Sequence, residues 1–157
     1  MTVTKTRKGK SKVWIVLLVI VGVIVIGLSV VMIASEPGRR EAMNVTIGNV
    51  DFKRLRDGVY IGQYTGVKDH LRDTKVEVTI SSGEITDIKV IEGALANEKQ
   101  TTEVRNGQTI NDLFARVIQS DSLQVDVISG ATISSKVHLK AIENALEQAE
   151  IDEGEAS

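Results

Sequence analysis

The sequence predicts an α+β fold, a largely antiparallel sheet with two packed helices, preceded by one N-terminal transmembrane helix. Three observations predict it. Residues 13–34 form a run of 22 residues without a charge, which as a helix spans about 30 Å, the depth of a bilayer's hydrocarbon. Residues 75–91 alternate with period two on both sides of Ser81-Ser82-Gly83-Glu84, a turn sequence, and so read as a β-hairpin. Ile110, Leu113, Phe114, Val117 and Ile118 then fall at i, i+3, i+4, i+7 and i+8, one apolar helical stripe, and a second helical pattern runs over 133–149.

Taken in order, residues 1–12 are a basic tail holding Lys5, Arg7, Lys8, Lys10 and Lys12 with no acid among them. Cations just before a spanning helix favour a cytoplasmic N-terminus, and Trp14 suits the interface at one edge of the span. A cleavable signal peptide, with Ala34 as a weak cleavage site, is the competing reading. Its apolar region is normally about 7–15 residues, shorter than this one. Either way the remaining chain is expected on the far side of a cell membrane, crossed once. Residues 35–56 carry the single proline and read as a membrane-proximal linker, with 42–57 a short helix or an irregular connection. Residues 57–149 form the domain and 150–157 an acidic tail. A first strand is expected over 57–66, and Leu123, Val125 and Val127 alternate as in a short strand. The last helix turns Ala141, Ile142, Ala145, Leu146 and Ala149 inward.

Charge and cysteine narrow the classes of function. From Glu36 onward the chain holds 14 of its 19 cations against all 21 of its acids, a balance of −7. Such a domain repels phosphate backbones, so no nucleic-acid partner is expected. There is no cysteine. Disulfides, thiolate chemistry, cysteine-ligated iron–sulfur clusters and c-type haem attachment are thereby excluded. The two histidines, His70 and His138, lie far apart in sequence, and no zinc constellation is expected.

The segment Asp126-Val127-Ile128-Ser129-Gly130-Ala131-Thr132-Ile133-Ser134-Ser135 carries the chemistry. It joins the expected strand to the last helix. Its small residues let the backbone pass close to a ligand, and the first-turn N–H groups with the helix dipole make an anion site. Serine and threonine are also favoured as N-caps for purely structural reasons. The surrounding pattern decides between the two. Asp126-x-x-Ser129-Gly130-Ala131-Thr132 is similar to the flavinylation motif of the FMN-binding domain family, whose members include the flavin-bearing subunits of sodium-translocating NADH:quinone oxidoreductase. Asp57-Gly58-Val59-Tyr60-Ile61-Gly62, the hairpin through Gly83–Val90 and the helix pattern of Lys136–Leu146 resemble three further elements of that family, so that the likeness spans residues 57–147. Many members carry a glycine-rich, often aromatic loop after the first strand and a His/Glu-containing segment after the hairpin. Here those places hold Val67-Lys68-Asp69-His70-Leu71 and Glu92-Gly93-Ala94-Leu95-Ala96-Asn97-Glu98.

The resemblance implies FMN held covalently by a phosphoester to Thr132, installed by a flavin transferase, with Asp126, Ser129, Gly130 and Ala131 completing the recognition motif. Ser134 is the second candidate for attachment. It implies an electron carrier between a membrane redox donor and an extracytoplasmic acceptor, in preference to a stand-alone oxidoreductase. The alternatives are a flavin-free, membrane-tethered structural or sensory module of the same fold, and reversible FMN binding with reductase activity. His138 reads first as a packing histidine and second as a flavin contact, and Tyr60 and Tyr64 as core or rim residues on one strand face. Phe114 reads as core and His70 as solvated. Asn44-Val45-Thr46 matches a glycosylation sequon and carries no weight.

Overall fold

A computed structural model of the chain describes residues 10–151. The chain divides into two units, residues 1–36 and 37–157. The first is dominated by α1 (Lys10–Met43). Its stretch from Val13 onward is long and apolar enough to cross a membrane. Leu17, Leu18, Ile20, Ile24 and Ile26 stand exposed around the whole circumference. A helix apolar on every side and covered on none suits hydrocarbon better than water.

In the second unit, β1 (Gly58–Tyr64), β2 (Thr74–Ser81) and β3 (Glu84–Glu92) form an antiparallel sheet in the order β1-β2-β3. The expected hairpin is β2 and β3, turning at Ser82 and Gly83, both at positive φ. Asp57 closes this turn by accepting the Gly83 N–H at 2.8 Å. That bond and the Ser82 N–H hold its carboxyl below the usual range. Val76, Val78 and Ile80 of β2, with Ile88 and Val90 of β3, face one buried side, as the period of two requires.

Two helices cover that side: α2 (Ile110–Ser120) and α3 (Thr132–Ala149). The expected α2 stripe is buried at Ile110, Leu113, Phe114 and Val117, and Ile118 packs beside it. All five α3 positions expected inward are buried. The helix crosses β1 at Gly62, where a Cβ would lie 1.9 Å from the Ala141 carbonyl oxygen and 2.4 Å from the Ala145 nitrogen. Only a residue without a side chain lets helix and strand meet this closely.

Three segments depart from expectation or add to it. α1 does not stop at the proline: it continues through Pro37 to Met43. Its last turns are held by the domain, since Ala42 is fully buried and Glu41 accepts the N–H groups of Val67 and Lys68. That support outweighs the hydrogen bond Pro37 cannot donate. Next, residues 44–56 form the irregular connection of the two alternatives, and it packs on the core through Val50 and Leu55. Lys136 Nζ donates to the carbonyls of Met43 and Val45. The nearly buried Glu143, ion-paired with Lys140, accepts the Gly48 N–H at 2.9 Å. Leu55 pairs with Glu150 in an isolated bridge, so Glu150 is part of the fold. Finally, residues 123–127 form no strand and pair with none. Their alternation reflects burial of a connecting segment, with Leu123 and Ile128 plugged into the core. The expected basic tail before Lys10 and the acidic tail after Ile151 lie outside the described residues.

Candidate functional site

The segment 126–132 leads into α3 by a tight turn. The Ala131 N–H donates to the Ile128 carbonyl at 2.9 Å, and Gly130 takes φ +80° at the corner. Ser135, fully buried one turn into the helix, locks this turn from beneath. Its hydroxyl accepts the Ile128 N–H at 3.1 Å and donates to the Ala131 carbonyl at 3.0 Å. Arg116 of α2 donates to the Asp126 carbonyl at 2.7 Å, and Asn106 Nδ2 donates to the Ser129 carbonyl at 3.3 Å. The segment is thus fixed through its backbone.

Its side chains are left over. Asp126, Ser129 and Thr132 are exposed. Among the described residues, no hydrogen bond or ion pair engages the carboxylate of Asp126 or the hydroxyls of Ser129 and Thr132. Thr132 is the first residue of α3, and Ala131, in the N-cap position, has no side chain able to cap. The first turn holds no acid. The N–H groups of Thr132, Ile133 and Ser134 therefore point out of the helix end without intrahelical acceptors, beside a free hydroxyl. Helix N-termini of this kind attract phosphate. Ser134 is half-buried, and Ser135 is committed to the turn.

A cleft of about 270 Å³ opens against the next turn of α3, lined by Leu71, Thr74, Leu95, Ile133, Val137 and His138 among others. It is mostly apolar. Two of its walls come from the loop before β2 and the segment after β3, the places where the sequence departs from the family pattern. A wider, more polar cleft of about 670 Å³ lies across the motif, between Asp126, Ser129, Arg116 and Gln124.

His138 lines the apolar cleft and is 4 % exposed, the packing position expected for it. Its Nδ1–H donates to the Ser134 carbonyl at 2.7 Å, since a carbonyl can only accept. Its Nε2 faces Thr74 Oγ1 at 3.3 Å. Burial pushes its pKa below the ordinary histidine value, and the bond to Ser134 opposes that shift. Phe114 tilts against the imidazole at 6.2 Å between ring centres. Tyr64 is buried, Tyr60 half-buried, and His70 lies exposed against Asp73. Sequence reasoning placed Ser135 in the segment without a role in the turn, and it missed Arg105, which reaches the motif only through the fold.

Comparison with known proteins fits this geometry. A profile of the FMN-binding domain matches residues 70–147. NADH:acrylate oxidoreductase of Vibrio harveyi is 33% identical over 89 residues, which cover 56% of this chain and 8% of that protein. This chain therefore spans only a small part of the curated relative it matches. The crystal structure of the CPE2226 protein from Clostridium perfringens is 30% identical, covering 66% of this chain and 93% of that chain with a TM-score of 0.46. Through residues 70–147, which include the whole 126–132 motif, the chain belongs to the FMN-binding domain family.

Proposed function

We propose that this protein is a membrane-anchored electron carrier whose FMN is joined to Thr132 by a phosphoester. The observation that carries the proposal is the open N-terminus of α3, with its uncapped N–H groups, no acid in the first turn and a free threonine hydroxyl at the same point. An ester of phosphate does not form spontaneously in water, so attachment needs an activated donor such as a flavin dinucleotide and a flavin transferase. In that transfer the Thr132 oxygen bonds to the phosphorus next to riboflavin, the bond to the departing nucleoside monophosphate breaks, and the hydroxyl proton is released. The exposed side chains of Asp126 and Ser129, which make no hydrogen bond or ion pair among the described residues, are available for recognition by that enzyme.

The residues present fit the group. The phosphate would meet the first-turn N–H groups of α3, and the apolar cleft at Ile133, Leu71 and Leu95 would take part of the ring system. At about 270 Å³ the cleft is slightly smaller than usual ligand pockets of about 300 Å³ or more. A ring only partly enclosed leaves an edge open to a partner, which favours a carrier over an enzyme with its own substrate pocket. When bound, flavin supplies electron transfer, and the protein supplies position and electrostatics. The name of the Vibrio harveyi relative, an oxidoreductase, supports a redox role.

The basic tail before the apolar helix supports a cytoplasmic N-terminus and a flavin domain across the membrane. There it would accept electrons from a membrane donor and pass them to an extracytoplasmic acceptor. A covalent link keeps the cofactor at high local concentration where a dissociated one would be diluted away.

The test is intact-mass measurement after coexpression with a flavin transferase. A gain of one FMN less water, absent in Thr132→Ala, is the expected result. An unmodified wild type under those conditions favours the flavin-free tethered module, and flavin freed by denaturation favours reversible binding.

A further inference from the structure

We propose that Arg105 is the counter-ion of the phosphate at Thr132, presented by a turn built to hold it there. The proposal rests on the attachment proposed above. Arg105 and Gln108 exchange backbone hydrogen bonds, Arg105 N–H to the Gln108 carbonyl at 3.3 Å and the reverse at 2.9 Å. Between them Asn106 and Gly107 both adopt positive φ, 53° and 74°. This is the type I′ geometry that Asn-Gly favours. Glu103 braces the tip by accepting the Gly107 N–H at 2.7 Å. Asn106 then ties it to the motif through the Ser129 carbonyl.

The consequence is where the arginine lies. Its side chain runs over Gly130, so that a Cβ there would come within 3.0 Å of Arg105 Nε and 3.1 Å of Cγ. Gly130 is required by its φ of +80°, and the arginine side chain lies close above it. Thr132 follows two residues later, within about 7 Å of chain. The motif's other arginine, Arg116, is already bonded to the Asp126 carbonyl. Among the described residues the Arg105 guanidinium has no hydrogen bond and no acidic partner, and Glu103 is engaged with the turn backbone. A guanidinium presents a planar fork of donors matched to phosphate oxygens, and a charge-assisted bond of this kind is among the stronger ones. In the alternative, the arginine stem merely covers the glycine, and its charge is incidental.

The test compares the full chain with Arg105→Gln and Arg105→Lys, each flavinylated by a flavin transferase and followed by intact mass, with phosphorus NMR of the flavinylated products. Loss of one charged bond predicts flavinylation about tenfold slower in Arg105→Gln. Arg105→Lys, which keeps the charge, should recover most of the rate, and the phosphorus resonance should move in Arg105→Gln. Wild-type rate with an unmoved resonance in Arg105→Gln overturns the proposal while leaving the attachment intact. Equal slowing in both variants, with lowered melting temperatures, also overturns it and assigns the side chain to packing. An unmodified wild type overturns the attachment itself.

Discussion

The N-termini of α2 and α3 lie in one domain and are finished in opposite ways. At α2, the N-cap Thr109 is tied to Asp112 of the first turn, whose carboxylate accepts the Thr109 N–H at 2.6 Å and the Thr109 hydroxyl at 3.0 Å. Those bonds hold the Asp112 carboxyl below its usual range. At α3 the N-cap is alanine, although Ser129, Thr132, Ser134 and Ser135 are all close by. The buried Ser135 hydroxyl serves the turn beneath the helix end, and no side chain serves the end itself. A helix that stands only within the fold closes its end with its own side chains. One that leaves the end open keeps its free donors for something else.

The comparison is easiest to break at its hinge. Ser135→Ala strands the buried Ile128 N–H and should destabilise the unmodified domain by about 1–3 kcal/mol, read by chemical denaturation. A loss below a few tenths would mean that the turn is held by something other than Ser135.

The two ends should also respond to different pH ranges. His138, bonded to the first turn of α3, has a folded pKa below its unfolded value. Below about pH 6.5 the unfolded chain therefore binds a proton that the folded chain refuses, and stability falls with pH until the folded pKa is reached. The slope there is at most about 1.4 kcal/mol per pH unit. His138→Gln should flatten that part of the profile. The Asp112 cap instead contributes above the ordinary carboxylate range, and its contribution is lost only as pH falls from near 4 through the lowered folded value. An unchanged profile in His138→Gln would contradict the buried, neutral assignment.

Thr109→Ala should cost about 1 kcal/mol by denaturation and leave flavin attachment untouched, because it opens an end with no role in the site. Ala131→Asp is the converse. A carboxylate beside the positive end of α3 should stabilise the unmodified domain by about 0.5 kcal/mol. It should also reduce the fraction flavinylated, since it occupies the phosphate's place. Stabilisation without loss of attachment would show that the open end is not where phosphate sits.

Much of this was legible from residue order. The stripe Ile110–Ile118, the period-two runs around Ser82-Gly83 and the inward alanines of α3 each answer to a local rule, and each formed as expected. The misreadings came where tertiary contacts overrode local ones. Pro37 is a helix breaker by its own chemistry, yet the turns after it are held by Glu41 and Ala42. Residues 123–127 alternate like a strand but have no partner strand. In the site, the run from Asp126 to Thr132 was visible as a motif, but its setting was not. Arg105 lies 25 positions before Gly130 in sequence and comes to cover it only because the 105–108 turn folds onto the motif. The buried Glu143 was equally invisible, since its partner Gly48 is 95 positions away.

The central claim is that one oxygen carries the flavin, and fragmentation mass spectrometry of the peptide spanning residues 117–136 of the flavinylated chain tests it most directly. The account predicts fragment ions that place riboflavin phosphate on Thr132 alone, with Ser129, Ser134 and Ser135 unmodified. Flavin located on any of those serines, or recovered only as free FMN from a bare peptide, would contradict it.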